Sequence, residues 1–354
     1  MNVGSGRHAW TGRSLGLLAG ASSLLLLPLV LEQYKLYLAS LTLVYLILAI
    51  GLNLTLGYAG QISLAHAAFM SCGAYAVAIL VPRGAPFEVA LLAGAALAFL
   101  WGLVLGFPAL KVKHHYLAMV TLGFNIIVFL VLRNWESLTG GSSGISGIAR
   151  PRWGPVRFQS DGAYYYYILA WAAAAVLSAH WILHSRWGRA FRAIRQNELR
   201  AAVVGVNLRT YKLIAFAIGS AYAGLGGALF APLLTYIDPG AFSLDRSIQF
   251  LMMVVIGGLG RFEGPFVGAA VLTLLPEALR RSQGFYLIIF AVAVILMMLF
   301  MPKGLVGVWD WVAGRMVPHR RRETAEPPAP GESGAGIEPA IALKTERHAT
   351  PRDR

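Results

Sequence analysis

Residues 185–212 have the sequence SRWGRAFRAIRQNELRAAVVGVNLRTYK and separate two apolar stretches that are each long enough to cross a bilayer. Seven of these residues are basic, and only Glu198 is acidic. Short loops rich in lysine and arginine stay on the cytoplasmic side of a membrane. The stretch, which we call the basic hairpin, is therefore predicted to be cytoplasmic, and it orients the spans on either side.

The composition predicts a polytopic membrane protein. Hydrophobic residues make up 57% of the 354-residue chain and charged residues 13%, whereas an average soluble domain has about 25% charged residues. The formal net charge is +14, but the basic residues gather in loops and at the chain ends, so we expect no nucleic-acid partner. The single cysteine, Cys72, excludes an intramolecular disulfide and a thiolate metal cluster, and we expect no metal site.

Ten apolar stretches follow one another, and several approach the roughly 20 residues that a spanning helix needs. They cover residues 15–31, 36–54, 64–81, 86–107, 115–132, 164–184, 213–235, 248–260, 265–279 and 285–301. The first is interpreted as a retained span rather than a signal peptide, because the next begins within a few residues. The predicted fold class is an all-α polytopic membrane bundle of about ten transmembrane segments, with broken or re-entrant helices.

Loop charge predicts the topology. With a cytoplasmic amino end, alternation places Lys111 and Lys113 inside, residues 133–163 outside and the basic hairpin inside, so two independent loops satisfy the positive-inside rule. The later stretches around residues 257–264 could instead form a re-entrant pair. The predicted regions are a cytoplasmic arm at 1–14, a transmembrane domain at 15–314 and a disordered cytoplasmic tail at 315–354.

The segment GLNLTLGYAGQISLAHAAF at residues 51–69 interrupts the apolar pattern with three glycines and several polar residues. Such a break is tolerated at membrane depth only where protein or a water-filled cavity surrounds it. Broken helices in transporters place free backbone groups beside the substrate. Close helix packing at the glycines explains the segment equally well. Together with a later asparagine, the candidate substrate path comprises Asn53, Gly57, Gly60, Gln61, Ser63, His66 and Asn125.

A second interruption, GGLGRFEGP at residues 257–265, lies in the later half of the chain and is also followed by small residues. Two glycine-rich interruptions in corresponding halves indicate an internal repeat, which is common in transporters. A simple cytoplasmic turn at Arg261 and Glu263 explains the same residues. Both interpretations stay open.

The predicted external loop, residues 133–163, contains the glycine-rich sequence LTGGSSGI at 138–145. Backbone amides in such a turn can form a concave anion site. A mobile surface loop explains the composition equally well. The candidate residues of this loop are Thr139, Gly140, Gly141 and Ser142.

Within the basic hairpin, apolar and small residues recur at three- or four-residue steps from Phe191 to Gly205, which predicts one helical face. Arginines form a neighbouring cationic stripe, and Gly205 is placed to end the helix as its carboxyl cap. The helix could lie on anionic lipid or fit a cleft of a soluble partner. Periodicity does not choose between these two interpretations.

Several segments, in the same order, resemble the branched-chain amino acid ABC transporter permease family, LivM type, over about residues 36–310. One of them, ELRAAVVG at 198–205, resembles the EAA-type loop of ABC importer permeases. The others are GLNLTLGYAGQISLAHAAF, YLAMVTLGFNIIVFLV at 116–131, LTGGSSGISG at 138–147, VVIGGLGRFEGPFVGAA at 254–270 and MPKGLVG at 301–307. The sequence departs from the family pattern at Ser143, where an acidic residue is expected, and at Gly205, which stands one residue nearer the Ala-Ala pair.

The resemblance implies ABC importer permease architecture and a subunit that passes branched-chain or related amino acids by alternating access. No Gly-Lys dipeptide occurs in the chain, so a P-loop is absent. ATP and magnesium are therefore expected on a partner ATPase. We expect this chain to bind no cofactor and to have no enzymatic activity. The implied partners are a LivH-like permease, two cytoplasmic ABC ATPases and an external solute-binding protein, in a bacterial inner membrane. The implied ATPase-coupling residues are Arg189, Arg192, Arg195, Glu198, Ala201, Ala202 and Gly205.

Other functions remain open from the residues. Urea or short-chain amides are alternative substrates within the same family. An ion-coupled secondary transporter would need buried acidic residues, and Glu277 is the only acid well inside a later apolar stretch. An intramembrane enzyme would need a catalytic constellation at depth, and His66 alone does not supply one.

Overall fold

The structure is a computed structural model that describes residues 24–28, 31–109, 114–153, 156–279, 292, 295 and 304–307. The predicted amino-terminal arm, the lysines at 111 and 113, nearly all of the last apolar stretch and the tail at 315–354 lie outside the described residues. So does most of the first apolar stretch, of which residues 24–28 are helical.

The described chain is a helical bundle, as predicted. In chain order its helices are α1 (Gln33–Leu52), α2 (His66–Leu80), α3 (Phe87–Ala109), α4 (His114–Asn134), α5 (Glu136–Thr139), α6 (Asp161–His184), α7 (Arg186–Gln196), α8 (Glu198–Val203), α9 (Leu208–Leu234), α10 (Leu244–Gly258) and α11 (Gly264–Leu279). A π-helical segment, Asn53–Tyr58, continues α1. The two-residue strands are β1 (Ile145–Ser146), β2 (Arg152–Trp153), β3 (Val156–Arg157) and β4 (Tyr236–Ile237).

Five helices of the described residues are long and apolar enough to cross a membrane. They are Gln33–Tyr58, Phe87–Pro108, Tyr116–Asn134, Asp161–His184 and Leu208–Leu234. This confirms the all-α polytopic membrane fold, while the count of ten spans stays a prediction.

Helix α9 forms the centre of the bundle by packing on α1, α2 and α3. Glycines make these contacts close: a side chain at Gly73 would collide with the backbone of Gly224, and one at Gly227 with the backbone of Met70. Small residues let membrane helices approach until their backbones are in van der Waals contact, which is the main source of packing energy in lipid. The glycines of this part of the sequence are therefore explained by helix packing.

The two ends of α9 define the two ends of the molecule, since its 27 residues rise by about 40 Å. The basic hairpin precedes α9, and we call that side the hairpin end. On the opposite side, β4 follows α9 and pairs antiparallel with β1, with Ile145 opposite Ile237. This side, the loop end, brings the predicted external loop at 133–163 together with the segment that follows α9.

Helices α2, α10 and α11 contain only 15, 15 and 16 residues, or about 22–24 Å, which is short for a hydrocarbon core of about 30 Å. Helices α10 and α11 pack side by side, and a side chain at Gly257 would collide with the Gly264 backbone. The predicted interruption at 51–69 is thus a real break between α1 and α2. The short α10–α11 pair favours the re-entrant alternative for residues 248–279.

Candidate translocation path and coupling surface

Asn53 joins the two glycine-rich interruptions at the hairpin end. Its Nδ2 donates to the carbonyl of Arg261 at 2.8 Å, and the amide of Gly260 donates to its Oδ1 at 2.9 Å. The side chain is 3% exposed, and a side chain at Gly57 would collide with both Asn53 and the Gly260 backbone. Segments about 200 residues apart are therefore joined by one amide, and we call this contact the clasp.

The basic hairpin reaches the same clasp. Arg195 donates from Nη2 to the carbonyl of Leu259 at 3.5 Å, where α10 ends. Gly60, whose φ of +71° favours glycine, packs against the Arg195 side chain. A cation at a helix carboxyl end is favourable because the last carbonyls carry partial negative charge. Helix α7 is thus in direct contact with both interruptions.

Helix α2 begins inside the bundle, and neighbouring side chains satisfy its first backbone amides. Leu64 N donates to Thr121 Oγ1 at 3.0 Å, Ala67 N to Ser247 Oγ at 2.9 Å, and Ala68 N to Asn125 Oδ1 at 3.0 Å. Ser247 Oγ also donates to Asn125 Oδ1 at 3.2 Å. Because a helix end in lipid has no water to satisfy it, these bonds explain polar residues on α4 and α10 that face the core. Thr121 and Ser247 are not among the residues predicted from sequence.

Six of the seven predicted path residues fall into two groups. Asn53, Gly57 and Gly60 lie at the clasp, whereas Ser63, His66 and Asn125 lie around the first turn of α2. His66 Nε2 is bonded to the carbonyl of Leu48 at 2.9 Å, and Ser63 Oγ accepts from Ala65 N at 3.4 Å. These bonds support the packing alternative for the two residues.

Gln61 and Asn125 retain polar atoms that could meet a passing solute. Both residues are at most 2% exposed. Within the described part of the chain, neither amide atom of Gln61 has a hydrogen-bond partner, and Asn125 Nδ2 has none. Buried polar groups are rarely left in this state. Of the seven predicted path residues, these two offer the polar atoms best suited to transient contacts.

The basic hairpin contains two helices rather than the single predicted one. Asn197 interrupts the pattern with extended backbone (φ −165°, ψ 113°), and its side chain accepts from Arg200 N at 3.0 Å. Asparagine is a favoured amino-terminal cap, so α8 starts anew after α7. The periodicity from Phe191 to Gly205 was therefore wrongly taken as one continuous face.

Helix α8 ends as predicted at Gly205. The amides of Gly205 and Val206 donate to the carbonyls of Ala202 and Ala201, at 3.0 Å each. Together with the φ of +84° at Gly205, these bonds form a Schellman motif, in which glycine is favoured. The cap gives this short helix a defined end.

The exposed face of α8 only partly matches the predicted one: Ala202 and Gly205 are exposed, but the two other predicted residues of α8 are not. Ala201 is 2% exposed, and Glu198 forms an ion pair with Lys212 at 2.7 Å, so both are turned toward the hairpin. Leu199, Val203 and Val204 instead are 80%, 83% and 75% exposed. We call these three residues the apolar tip. Sequence reasoning missed them, although three large apolar residues within a charged loop are the signal that could have found them.

The predicted cationic stripe is divided between two directions. Arg192 is exposed, and Arg189 donates from Nη1 to the carbonyl of His184 at 3.4 Å. Arg195, by contrast, reaches the clasp. Phe191 and Ile194 are buried between α7 and the bundle. Helix α7 is thus fixed to the spanning helices by one face while α8 projects from its end.

The glycine-rich turn at the loop end is internally bonded. Thr139 Oγ1 donates to backbone carbonyls and accepts from Gly141 N at 3.3 Å, while Gly140 N donates to Glu136 O at 3.1 Å. The amides of Ser143 and Gly144 also donate within the turn. Most amides that the predicted anion site would need are already used. Ser142 is exposed and stands at the centre of this turn.

Comparison with known proteins agrees with this geometry. A family model described as the branched-chain amino acid transport system permease component matches residues 34–304. The high-affinity branched-chain amino acid transport system permease protein LivM of Escherichia coli strain K12 is 32% identical over 303 residues, covering 78% of this chain and 71% of LivM. The permease protein LivH of the same system and strain is 25% identical, covering 74% of this chain and 91% of LivH. No solved structure matches the chain.

A bundle of apolar helices with two glycine-rich interruptions clasped beside a basic hairpin defines a multi-pass membrane transport protein. The chain belongs to the branched-chain amino acid transport permease family.

Proposed function

We propose that this chain is one permease subunit of an ATP-driven importer of branched-chain amino acids. The single observation that carries the coupling part of this proposal is the apolar tip of α8, which is mostly exposed on a loop whose charge favours the cytoplasm. Leucine and valine side chains this exposed outside a bilayer mark a binding surface when they form a patch. The family membership supplies the transport function, and the relatives named LivM and LivH belong to branched-chain amino acid systems.

The partner at the apolar tip is a soluble ATPase. The chain has no P-loop, so ATP and magnesium bind on another subunit, and two such subunits pair with this permease and a LivH-like homologue. An external solute-binding protein delivers the amino acid at the loop end. By the positive-inside rule, the hairpin end and both chain termini face the cytoplasm. The membrane of this assembly is a bacterial inner membrane.

The structural basis of coupling is the connection from α8 to the clasp. Motion imposed on the apolar tip moves α7 through the ordered Asn197 junction, and Arg195 carries the movement to the end of α10. Asn53 connects α10 with the π-helical segment of α1. Rigid elements that contact both breaks in this way can bias a two-state membrane core between inward-open and outward-open forms.

The solute passes the first turn of α2 between the two forms. Gln61 and Asn125 offer transient hydrogen bonds there, while tight binding is left to the external protein. None of the seven candidate path residues is acidic, which fits an importer better than an ion-coupled carrier. Leucine, isoleucine and valine are the expected substrates, and urea and short-chain amides are the alternatives to compare.

The docking surface is tested by changing Leu199 and Val203 to glutamate in the assembled transporter. We expect ATPase subunits to be lost on purification and ATP-driven leucine uptake to fall at least tenfold, because two charges would enter an apolar contact. Arg209→Glu is the matched control, since Arg209 is exposed in the same loop but lies outside α8. Full ATPase retention and full uptake in the double variant would exclude docking at the apolar tip.

A further inference from the structure

Among the described residues, one partly buried arginine at membrane depth has only neutral hydrogen-bond partners. Arg246 stands in the first turn of α10, and its Nη1 donates to Tyr45 Oη at 3.3 Å and to Gln249 Oε1 at 2.9 Å. Both acceptors are neutral. In the part of the chain that the structure describes, no carboxylate pairs with Arg246, and neither bond uses its Nη2 or Nε. A guanidinium has five N–H donors in a planar fork, so most of its binding capacity remains.

Arg246 lies near the middle of the membrane-spanning part of the bundle rather than at its surface, as its contact with Tyr45 shows. Tyr45 is 12 residues after the start of α1, which corresponds to about 18 Å along a helix that, with its π-helical continuation, is about 39 Å long. Tyr45 itself is 4% exposed, whereas Arg246 is partly exposed. An intramembrane charge is energetically costly, and such residues face the bundle interior or a water-filled path.

Arg246 also adjoins the point where two short helices begin. Its neighbour Ser247 accepts from Ala67 N at the start of α2 and donates to Asn125 Oδ1. One helical turn further, the Phe250 ring contacts Tyr45, with centroids 5.5 Å apart, and lies 6.3 Å from the His66 ring. Helix amino ends carry partial positive charge, and half-helices in transporters direct such ends toward anionic substrate groups.

A second observation at this junction indicates a ligand rather than a structural cation. Asn125 is fully buried, and its Nδ2 has no partner among the described residues. The orientation of this amide is fixed, because Oδ1 accepts from both Ala68 N and Ser247 Oγ. An unpartnered donor, two helix amino ends and an unpaired guanidinium all favour the same chemistry, namely an anion with oxygen acceptors.

We propose that Arg246 binds the carboxylate of the amino acid during its passage. Tyr45 and Gln249 hold Nη1. The remaining N–H groups of the fork can then donate to both oxygens of a carboxylate, in the bidentate geometry that arginine favours. Binding here presupposes the transport function proposed above and adds to it the residue that distinguishes an amino acid from an uncharged amide. Urea and short-chain amides lack the carboxylate and would gain nothing from this contact.

The test compares the whole transporter in proteoliposomes with and without the guanidinium, using leucine as substrate and leucinamide, which lacks the carboxylate, as competitor. Arg246→Gln should lower leucine uptake at subsaturating concentration by about 10- to 100-fold, the usual effect of losing a charge-assisted hydrogen bond. Because the external protein selects the solute first, the preference for leucine over leucinamide is measured without that protein, by competition for labelled leucine at high concentration, and it should fall by a similar factor. Retention of ATPase subunits should not change.

Arg83→Gln is the matched control, because Arg83 is an exposed arginine in the turn between α2 and α3 at the loop end. Unchanged leucine preference in Arg246→Gln, with active transport by the wild type, would overturn the role of Arg246 alone. Absence of leucine uptake by the wild-type assembly would instead overturn the proposed function. If Arg246→Gln fails to assemble, Arg246→Lys is used instead, because it keeps the positive charge but loses the planar guanidinium. This variant should also weaken the preference for leucine. An unchanged preference would overturn the role of Arg246.

Discussion

Replacing Asn53 by leucine should separate the two glycine-rich interruptions at a definable cost in stability. The substitution removes two hydrogen bonds, of 2.8 and 2.9 Å, each contributing about 0.5–1.5 kcal/mol. It also leaves the Gly260 amide without the acceptor that it has in the structure, at a further ~1–3 kcal/mol if no water reaches it, whereas the Arg261 carbonyl still accepts from Gly264 N at 3.4 Å.

Two considerations lower the sum. Both bonds are only part-buried at the hairpin end, so water can replace some of the lost contacts, and side-chain hydrogen bonds measured in a membrane protein average about 0.6 kcal/mol. We therefore expect the free energy of unfolding to fall by about 2 kcal/mol. The bulk of leucine beside Gly57 adds to the loss and does not offset it.

Cys72 provides the assay. It is the only cysteine of the chain and is partly buried in α2, so a thiol-reactive fluorophore reports when the bundle opens during denaturation in detergent. Asn134→Leu is the control, since that amide makes one bond at an exposed position, and a change below about 0.5 kcal/mol is expected there. Equal denaturation midpoints for the two variants would refute the clasp as a stabilising contact.

Three further experiments test other parts of the structure. Gly227→Val should destabilise the folded chain by more than about 2 kcal/mol, because its Cβ would meet the backbone of α2. Gly123→Ala should stabilise it by up to ~1 kcal/mol, because the space there is open. Thermal denaturation measures both changes. Lys212→Gln combined with Glu198→Gln in a double-mutant cycle should give a coupling free energy of about 1 kcal/mol for their ion pair. Arg150→Gln removes contacts with Asp161 and the Tyr164 ring and should make the external loop about threefold more sensitive to protease.

Each of these predictions has a contrary result. Equal stability of the Gly227 and Gly123 variants would mean that α9 does not pack closely on α2. A coupling free energy of zero would leave α8 without its anchor at Lys212. Unchanged protease sensitivity would show that Arg150 does not order the external loop.

The sequence predicted the fold class and the positions of the long helices, because a spanning helix leaves an unbroken apolar stretch that few other structures share. The interruption at 51–69 was also predictable, since glycines and polar residues at membrane depth require special surroundings. What periodicity could not supply was the break at Asn197. A cap that ends one helix and starts another keeps the three- and four-residue spacing, and only the backbone angle at Asn197 separates α7 from α8.

The partners of the polar residues were beyond the sequence for a different reason. Asn53 pairs with Gly260, and Asn125 with Ser247, across 207 and 122 positions, and no local pattern encodes contacts at such distances. No sequence pattern singles out Arg246, because it stands at the start of an apolar stretch, where a charged residue ordinarily marks the end of a span. Its depth follows from the contact with Tyr45, which requires the packing of α10 on α1.

The most direct measurement is uptake of labelled leucine into proteoliposomes that contain this chain with its permease partner, ATPases and solute-binding protein. Accumulation should require ATP and the loaded binding protein, should be competed by isoleucine and valine more strongly than by urea, and should be lost in the Leu199→Glu, Val203→Glu double variant. Leucine uptake that proceeds without ATP in response to an ion gradient would contradict an importer driven through the apolar tip.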